Sequence, residues 1–314
     1  MPDCCVNEPI PHILKAEKDA PDTPAPLVWV YPMREYTAAH SEEALAEMNI
    51  GDNFICSAIN GGLPLCCVTS TDSFLNHGAE IYSGRIIISP SPESKELRAK
   101  LYSLADMGVG VVIYATPGML ERLDDACGIT KIDSTSAPEA IIAALENYGY
   151  SIRFDKKEDG VKPPTIALYG VRGGLMLSAY SANTTTDTRL RFPLGAPIFC
   201  GIDAEISDGY SSYRFSRSEH RECRIFLEQA SGTVVCREAA PVSARYRRFI
   251  RISGLRDATV HLFSEPSCEC AVSRLQGDYT PSFDKKITYI TPEHILLEHI
   301  DGDIYFLIGH KNTV

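Results

Sequence analysis

The sequence predicts two architectures in series: a small, doubly wound parallel α/β sheet, then an antiparallel β-sandwich. Three observations carry this. Between residues 27 and 150, short apolar runs alternate with capped helical segments. Those runs, such as "GRIIISP" and "GVGVVIYA", have no polar alternation, as expected of parallel strands covered by helices on both faces. After residue 150 the helical period stops, and strand-like runs recur with Gly, Pro, Ser and Asp between them. The expected layout is a tail or linker over 1–26, the α/β part over 27–150 and the β part over 151–314.

In chain order, residues 1–26 are rich in Pro, Asp and Lys and hold no sustained period. "PLVWVYP" is the first strand. "SEEALAEMN" starts a helix at Ser41. "GRIIISP" is the next strand, and a helix over 92–107 follows. Ser91 is its expected cap and Pro92 its first turn; Leu97, Leu101 and Leu104 share a face, and Gly108 ends it. "VGVVIYA" is a buried strand. "TPGMLERLDDACG" reads as a helix capped by Thr116, and "SAPEAIIAALENYG" as one with a capping box of Ser136 and Glu139. In the second half, "EHIDGDIYFLIG" is expected to be a hairpin turning at Asp301-Gly302.

Composition narrows the function. The chain has 314 residues, is 44% hydrophobic and carries a net charge of −11. An acidic chain repels phosphate backbones, so no nucleic-acid partner is expected. Arg245, Arg247, Arg248, Arg251 and Arg256 split between strand faces and are expected to pair with nearby acids. No apolar run reaches the ~20 residues of a membrane helix, and the start lacks signal-peptide character. A cytoplasmic protein with no membrane partner is the expectation. The 11 cysteines show no C-x-x-C spacing and are expected to be reduced, small and buried, with no metal and no cofactor.

Three stretches concentrate polar chemistry. "SEHRECRIFLEQ" reads as a strand with Cys223, Ile225 and Leu227 on the core side and His220, Glu222, Arg224, Phe226 and Glu228 on the other. "RLRFPLGAP" places Arg189 and Arg191 on one face, then bends at Pro193, Gly195 and Pro197. "SAYSANTTTDT" is a polar loop holding Tyr180 and Asn183. Cross-strand pairing is the favoured account of these side chains; a polar ligand surface formed by Tyr180, Asn183, Arg189, Arg191, His220, Glu222 and Arg224 is the functional one. No catalytic residue is identified. Neither a nucleophile elbow nor a phosphate loop is found, and "DAEISDGY" misses the calcium-loop pattern by one place.

The order of parts, with "SPESKELRAKLYSLADMGVGVVIYA" in the first, resembles the C-terminal region of multidomain glycoside hydrolases built like the family 42 β-galactosidases. There an amidotransferase-like trimerisation domain and a small β domain follow a catalytic barrel. The resemblance implies a flavodoxin- or amidotransferase-like first half. No eight-fold βα repeat fits this chain, so no catalytic carboxylate carries over. What it implies is a non-catalytic, carbohydrate-associated accessory region: a scaffold, an oligomerisation surface or a sugar-facing wall. The expected partners are a carbohydrate, further copies of the chain or a catalytic barrel. The alternatives are an independent hydrolase with its site at the junction of the two parts, and a protein-interaction module without a small ligand.

Overall fold

In the computed structural model, the described residues are 27–63, 67–155, 165–171, 174–181, 185–192, 194–199, 203–217, 219–239, 248–263, 268–273, 288–291 and 294–310. The predicted tail over 1–26 lies outside them.

The first half is a parallel sheet of β1 (Leu27–Tyr31), β2 (Cys67–Ser70), β3 (Ile86–Pro90), β4 (Gly110–Ala115) and β5 (Ile129–Asp133), in the order β2-β1-β3-β4-β5. Helices α1 (Met33–Ala38), α2 (Glu42–Asn60), α3 (Thr71–Asn76), α4 (Lys95–Asp106), α5 (Pro117–Leu120) and α6 (Glu139–Leu145) connect and cover it. The central β4 is buried at every residue, which is why its sequence shows no alternation.

Several helix starts are as expected and others shift. Ser41 accepts from Ala44 N–H at 3.1 Å and caps α2, which runs much further than "SEEALAEMN", to Asn60. The helix expected from 92 begins at Lys95, and its cap is Ser94, not Ser91. Ser91 N–H donates to Tyr114 O instead, holding residues 91–93 outside the helix. Ser136 forms no capping box; its hydroxyl donates to Asp133 O, and α6 starts after Pro138. Thr116 precedes α5 but gives its hydroxyl to Glu47 Oε1 at 2.9 Å.

The second half is antiparallel throughout. Its strands are β6 (Ser151–Asp155), β7 (Thr165–Val171), β8 (Gly174–Ser181), β9 (Thr186–Arg191), β10 (Ala196–Phe199), β11 (Ala204–Ser207), β12 (Tyr210–Phe215), β13 (Glu219–Glu228), β14 (Thr233–Ala239), β15 (Arg248–Phe263), β16 (Cys268–Ser273), β17 (Thr288–Thr291) and β18 (His294–His310). They form one hydrogen-bonded network along β6-β9-β12-β11-β14-β15-β13-β8-β7, with β10 on β13, and with β16 and β17 on β18, which pairs with β15.

The hairpin expected at Asp301-Gly302 is absent. Both residues lie inside the 17-residue strand β18, paired along the 16-residue β15. Left-handed residues in the two strands answer one another as register shifts: Gly254 (φ 86°) and Asp257 (φ 47°) in β15, His299 (φ 55°) and Gly302 (φ 83°) in β18. Asp301 Oδ1 accepts from Asp257 N–H at 2.9 Å, and His299 Nδ1 lies 2.7 Å from Asp257 Oδ1. Arg251 pairs with Asp303 across the same strands at 2.6 Å, as expected for that basic run. Arg245 and Arg247 lie outside the described residues.

"DAEISDGY", set aside as a calcium loop, is a hairpin. Ser207 and Tyr210 pair across Asp208 (φ 54°) and Gly209 (φ 76°), the positive angles of a type I′ turn. Among the described cysteines, Cys223 and Cys236 are buried as expected, whereas Cys56 and Cys127 are exposed; all are free thiols. No helix among the described residues is long and apolar enough to cross a membrane.

One hydrophobic cluster is continuous across both halves. At the join, Tyr150 meets Phe192 edge-on at 5.7 Å, and Phe192 meets Phe226 at 6.4 Å.

Candidate functional site

In an open doubly wound sheet, ligands sit beyond the carboxyl ends of the strands, where the strand order reverses. Here the chain steps from β1 out to β2 and returns to β3 on the other side of β1, so the reversal lies between β1 and β3. A cleft of about 80 Å³ occupies that point, walled by Glu35, Tyr36, Glu47, Glu93, Tyr114 and Ser134 among others. It continues into a shallower groove of about 420 Å³, bordered by Arg34, His40 and Ser94 and sharing Glu35 and Glu93.

Glu35, Tyr36 and Tyr114 are held from outside the cleft. Glu35 Oε2 accepts from Thr71 Oγ1 at 2.8 Å, and Thr71, fully buried, opens α3. Tyr36 Oη donates to Asp52 Oδ1 at 2.7 Å, tying α1 to α2. Trp29 Nε1 donates to Tyr114 Oη at 3.1 Å. Gly51 on α2 has no Cβ, and one placed there would reach within 3.5 Å of the Tyr114 ring.

Two oxygens on the wall are buried without a protein partner: Glu35 Oε1 and Ser134 Oγ. Leaving such groups unpaired costs about 1–3 kcal/mol each. Burial pushes the Tyr36 and Tyr114 hydroxyls far above their ordinary titration range, reinforced at Tyr36 by its hydrogen bond to Asp52. Both are therefore neutral hydroxyls, not bases. The polar groups of the cleft are carboxylates and hydroxyls, set among apolar residues such as Met48, Leu97 and Met119, and its lining holds no Lys, Arg, His or Cys. Among the described residues, no group of three or more metal-ligating side chains forms.

The residues singled out from sequence lie elsewhere, on the antiparallel network. Arg189 and Arg191 are half-buried on one face of β9, and the Arg189 guanidinium stacks over the Tyr210 ring at 4.9 Å. His220 and Tyr180 are direct cross-strand partners in backbone register, as are Glu222 and Ser178; the side chains of Tyr180, His220 and Glu222 lie outside the described part. Asn183 lies outside the described residues. Arg224 is half-buried, and Phe226 beside it on the same face is fully buried.

That face of β13 meets two histidines that sequence reading passed over. His261 is opposite Phe226, and His294 is opposite Phe263 on the neighbouring strand pair. Burial lowers both imidazoles, His294 to about 4 with His261 contributing; Glu228 and Glu298 work against the shift at His261. A folded value below the ordinary ~6.5 means the fold favours the neutral ring. That stabilisation is complete above pH ~6.5 and is lost as pH falls toward about 4. Denaturant titrations should show stability declining from pH 6.5 to 5, with His294→Gln flattening the decline; an unchanged slope in the variant would refute this.

The cleft residues were missed because sequence shows strand ends but not strand order. The available signal was positional: Pro32–Tyr36 and Ser91–Glu93 each follow a predicted strand, whereas the strand before Ser134 was not predicted.

Comparison with known proteins adds little. No protein family matches the chain, and no curated protein matches it. A solved structure, an apo exo-carrageenase GH42 from Bacteroides ovatus, is similar at a TM-score of 0.32 with 10% identity. The likeness covers 63% of this chain and 29% of that one, so this chain spans well under half the length of that protein. The fold class itself is shown by the sheets: parallel α/β followed by antiparallel β.

Proposed function

We propose that the chain is a non-catalytic, carbohydrate-associated accessory region whose parallel-sheet cleft holds a hydroxyl-rich ligand, a saccharide unit. The single observation that carries this is the pair of buried, unpartnered oxygens, Glu35 Oε1 and Ser134 Oγ, on the wall of a cleft at the reversal of strand order. A carboxylate oxygen accepts from a sugar hydroxyl, and a serine hydroxyl both donates and accepts, so a ligand rich in hydroxyls relieves both. The neutral Tyr36 hydroxyl adds a group of the same kind. The lining holds no His, Cys or Lys, so a Ser–His or Cys–His couple is absent from it.

The test is ligand-observed NMR with a panel of neutral mono- and disaccharides. Saturation transfer to at least one sugar is expected, with affinity falling roughly ten-fold in Glu35→Gln and in Ser134→Ala, about the value of one buried hydrogen bond. Arg189→Ala, remote from the cleft, should leave binding unchanged. Failure of every sugar to bind, or aryl-glycoside turnover that survives purification to homogeneity, would overturn the reading.

A further inference from the structure

The geometry points to a second site, on the β13–β15–β18 face: His261 and His294 together chelate one late first-row divalent cation, of which Zn²⁺ is the representative. His261 Nδ1 and His294 Nε2 stand 3.0 Å apart. Imidazole nitrogens bind such ions at about 2.0–2.1 Å, so two on one ion stand about 2.9 Å apart at a right angle and about 3.3 Å apart at the tetrahedral angle. The observed spacing falls inside that interval.

The rings are held for this. They lie nearly parallel, 26° between planes with centroids 5.3 Å apart, and Phe263 packs against His294 at 4.3 Å. His261 is flanked in register by Phe226 and Leu296, so the two strands fix the spacing. A neutral imidazole carries one lone pair, on the ring nitrogen that lacks the proton. In the metal-free pair one of the facing nitrogens bears the proton of an N–H···N bond. Binding moves that proton to the other nitrogen of the same ring, a change of tautomer with no net release, and each ring turns by about 40–45° so that lone pairs facing each other in the hydrogen bond converge on the ion.

Among the described side chains, the charged groups on this face are Glu228 and Glu298, both exposed and both acting electrostatically on His261, and Arg224 two residues from Phe226. The two carboxylates offset the guanidinium and draw a cation to the pair. Both histidines are half-buried, so solvent supplies the remaining ligands.

The experiment is calorimetric titration of the full chain, stripped with chelator, with ZnCl₂, alongside absorption spectra of the Co²⁺-loaded chain. One Zn²⁺ per chain is expected, weakened ten-fold or more in His261→Gln and in His294→Gln. Circular dichroism confirms that the variants are folded, and either one alone suffices. The Co²⁺ spectrum should lack the intense thiolate band, separating this site from the free cysteines. No Zn²⁺ binding below millimolar concentration, binding unchanged in both variants, or a thiolate spectrum would each overturn the proposal.

Discussion

Phe226→Ala should remove about 3–5 kcal/mol of stability, the range for truncating a fully buried phenylalanine. The ring is completely buried and stands between Phe192 at 6.4 Å and Phe263 at 6.0 Å. Through Phe192 it reaches Tyr150, the last residue before the antiparallel strands. Its strand is paired on both sides, so the backbone has little freedom to collapse into the void. Against a typical total of about 5–15 kcal/mol, the loss is severe. Urea denaturation followed by circular dichroism measures it, and a change below about 1 kcal/mol would show that the aromatic chain does not bear on the fold.

Gly195→Ala should be of similar size for a different reason. Gly195 has φ 109°, and a Cβ there would come within 2.4 Å of the carbonyl carbon and oxygen of Leu227. The obstacle is backbone, so no rotamer change relieves it. Phe192 and Gly195 also exchange both backbone hydrogen bonds, at 3.0 and 2.8 Å, and the strand beginning at Ala196 pairs with Leu227. Alanine must therefore push β10 off β13, at a cost of about 3 kcal/mol or more. Gly84→Ala separates the contributions. Its φ is 69° with nothing near the added carbon, so it pays only the left-handed penalty of about 1 kcal/mol. Equal losses in the two variants would remove the clash argument.

The sequence reading and the structure agree where one residue settles the outcome and diverge where two segments must be matched. The apolar run at 110–115 could only be a covered strand, and Ser41 begins its helix where expected. In "SPESKE" the expected cap, Ser91, is tied through its N–H to Tyr114 on another strand, and Ser94, which sequence reading passed over, caps the helix instead. Asp-Gly was expected to turn the chain at 301–302. It makes a turn at 208–209, where none was expected, and at 301–302 it relaxes a long strand instead, because Gly254 and Asp257 on the neighbouring strand bend with it. That distinction depends on a partner 40 to 50 residues away in the chain, as the contact between Asp257 and Asp301 shows, at a separation of 44. The candidate sites follow the same rule. His261 and His294 each stand singly in the sequence and meet only through register. The cleft needed the strand order, which no local pattern carries.

The doubled path of β15 along β18 has a mechanical consequence. Near its start β15 bonds to β14, near its end to β13, and along its whole length to β18. The side of the network that holds β14 and the side that holds β13 can separate only by breaking β15, which both use. The amides of the β half should exchange with deuterium together, at one common opening free energy, and heating should melt this half in a single step without a half-open species.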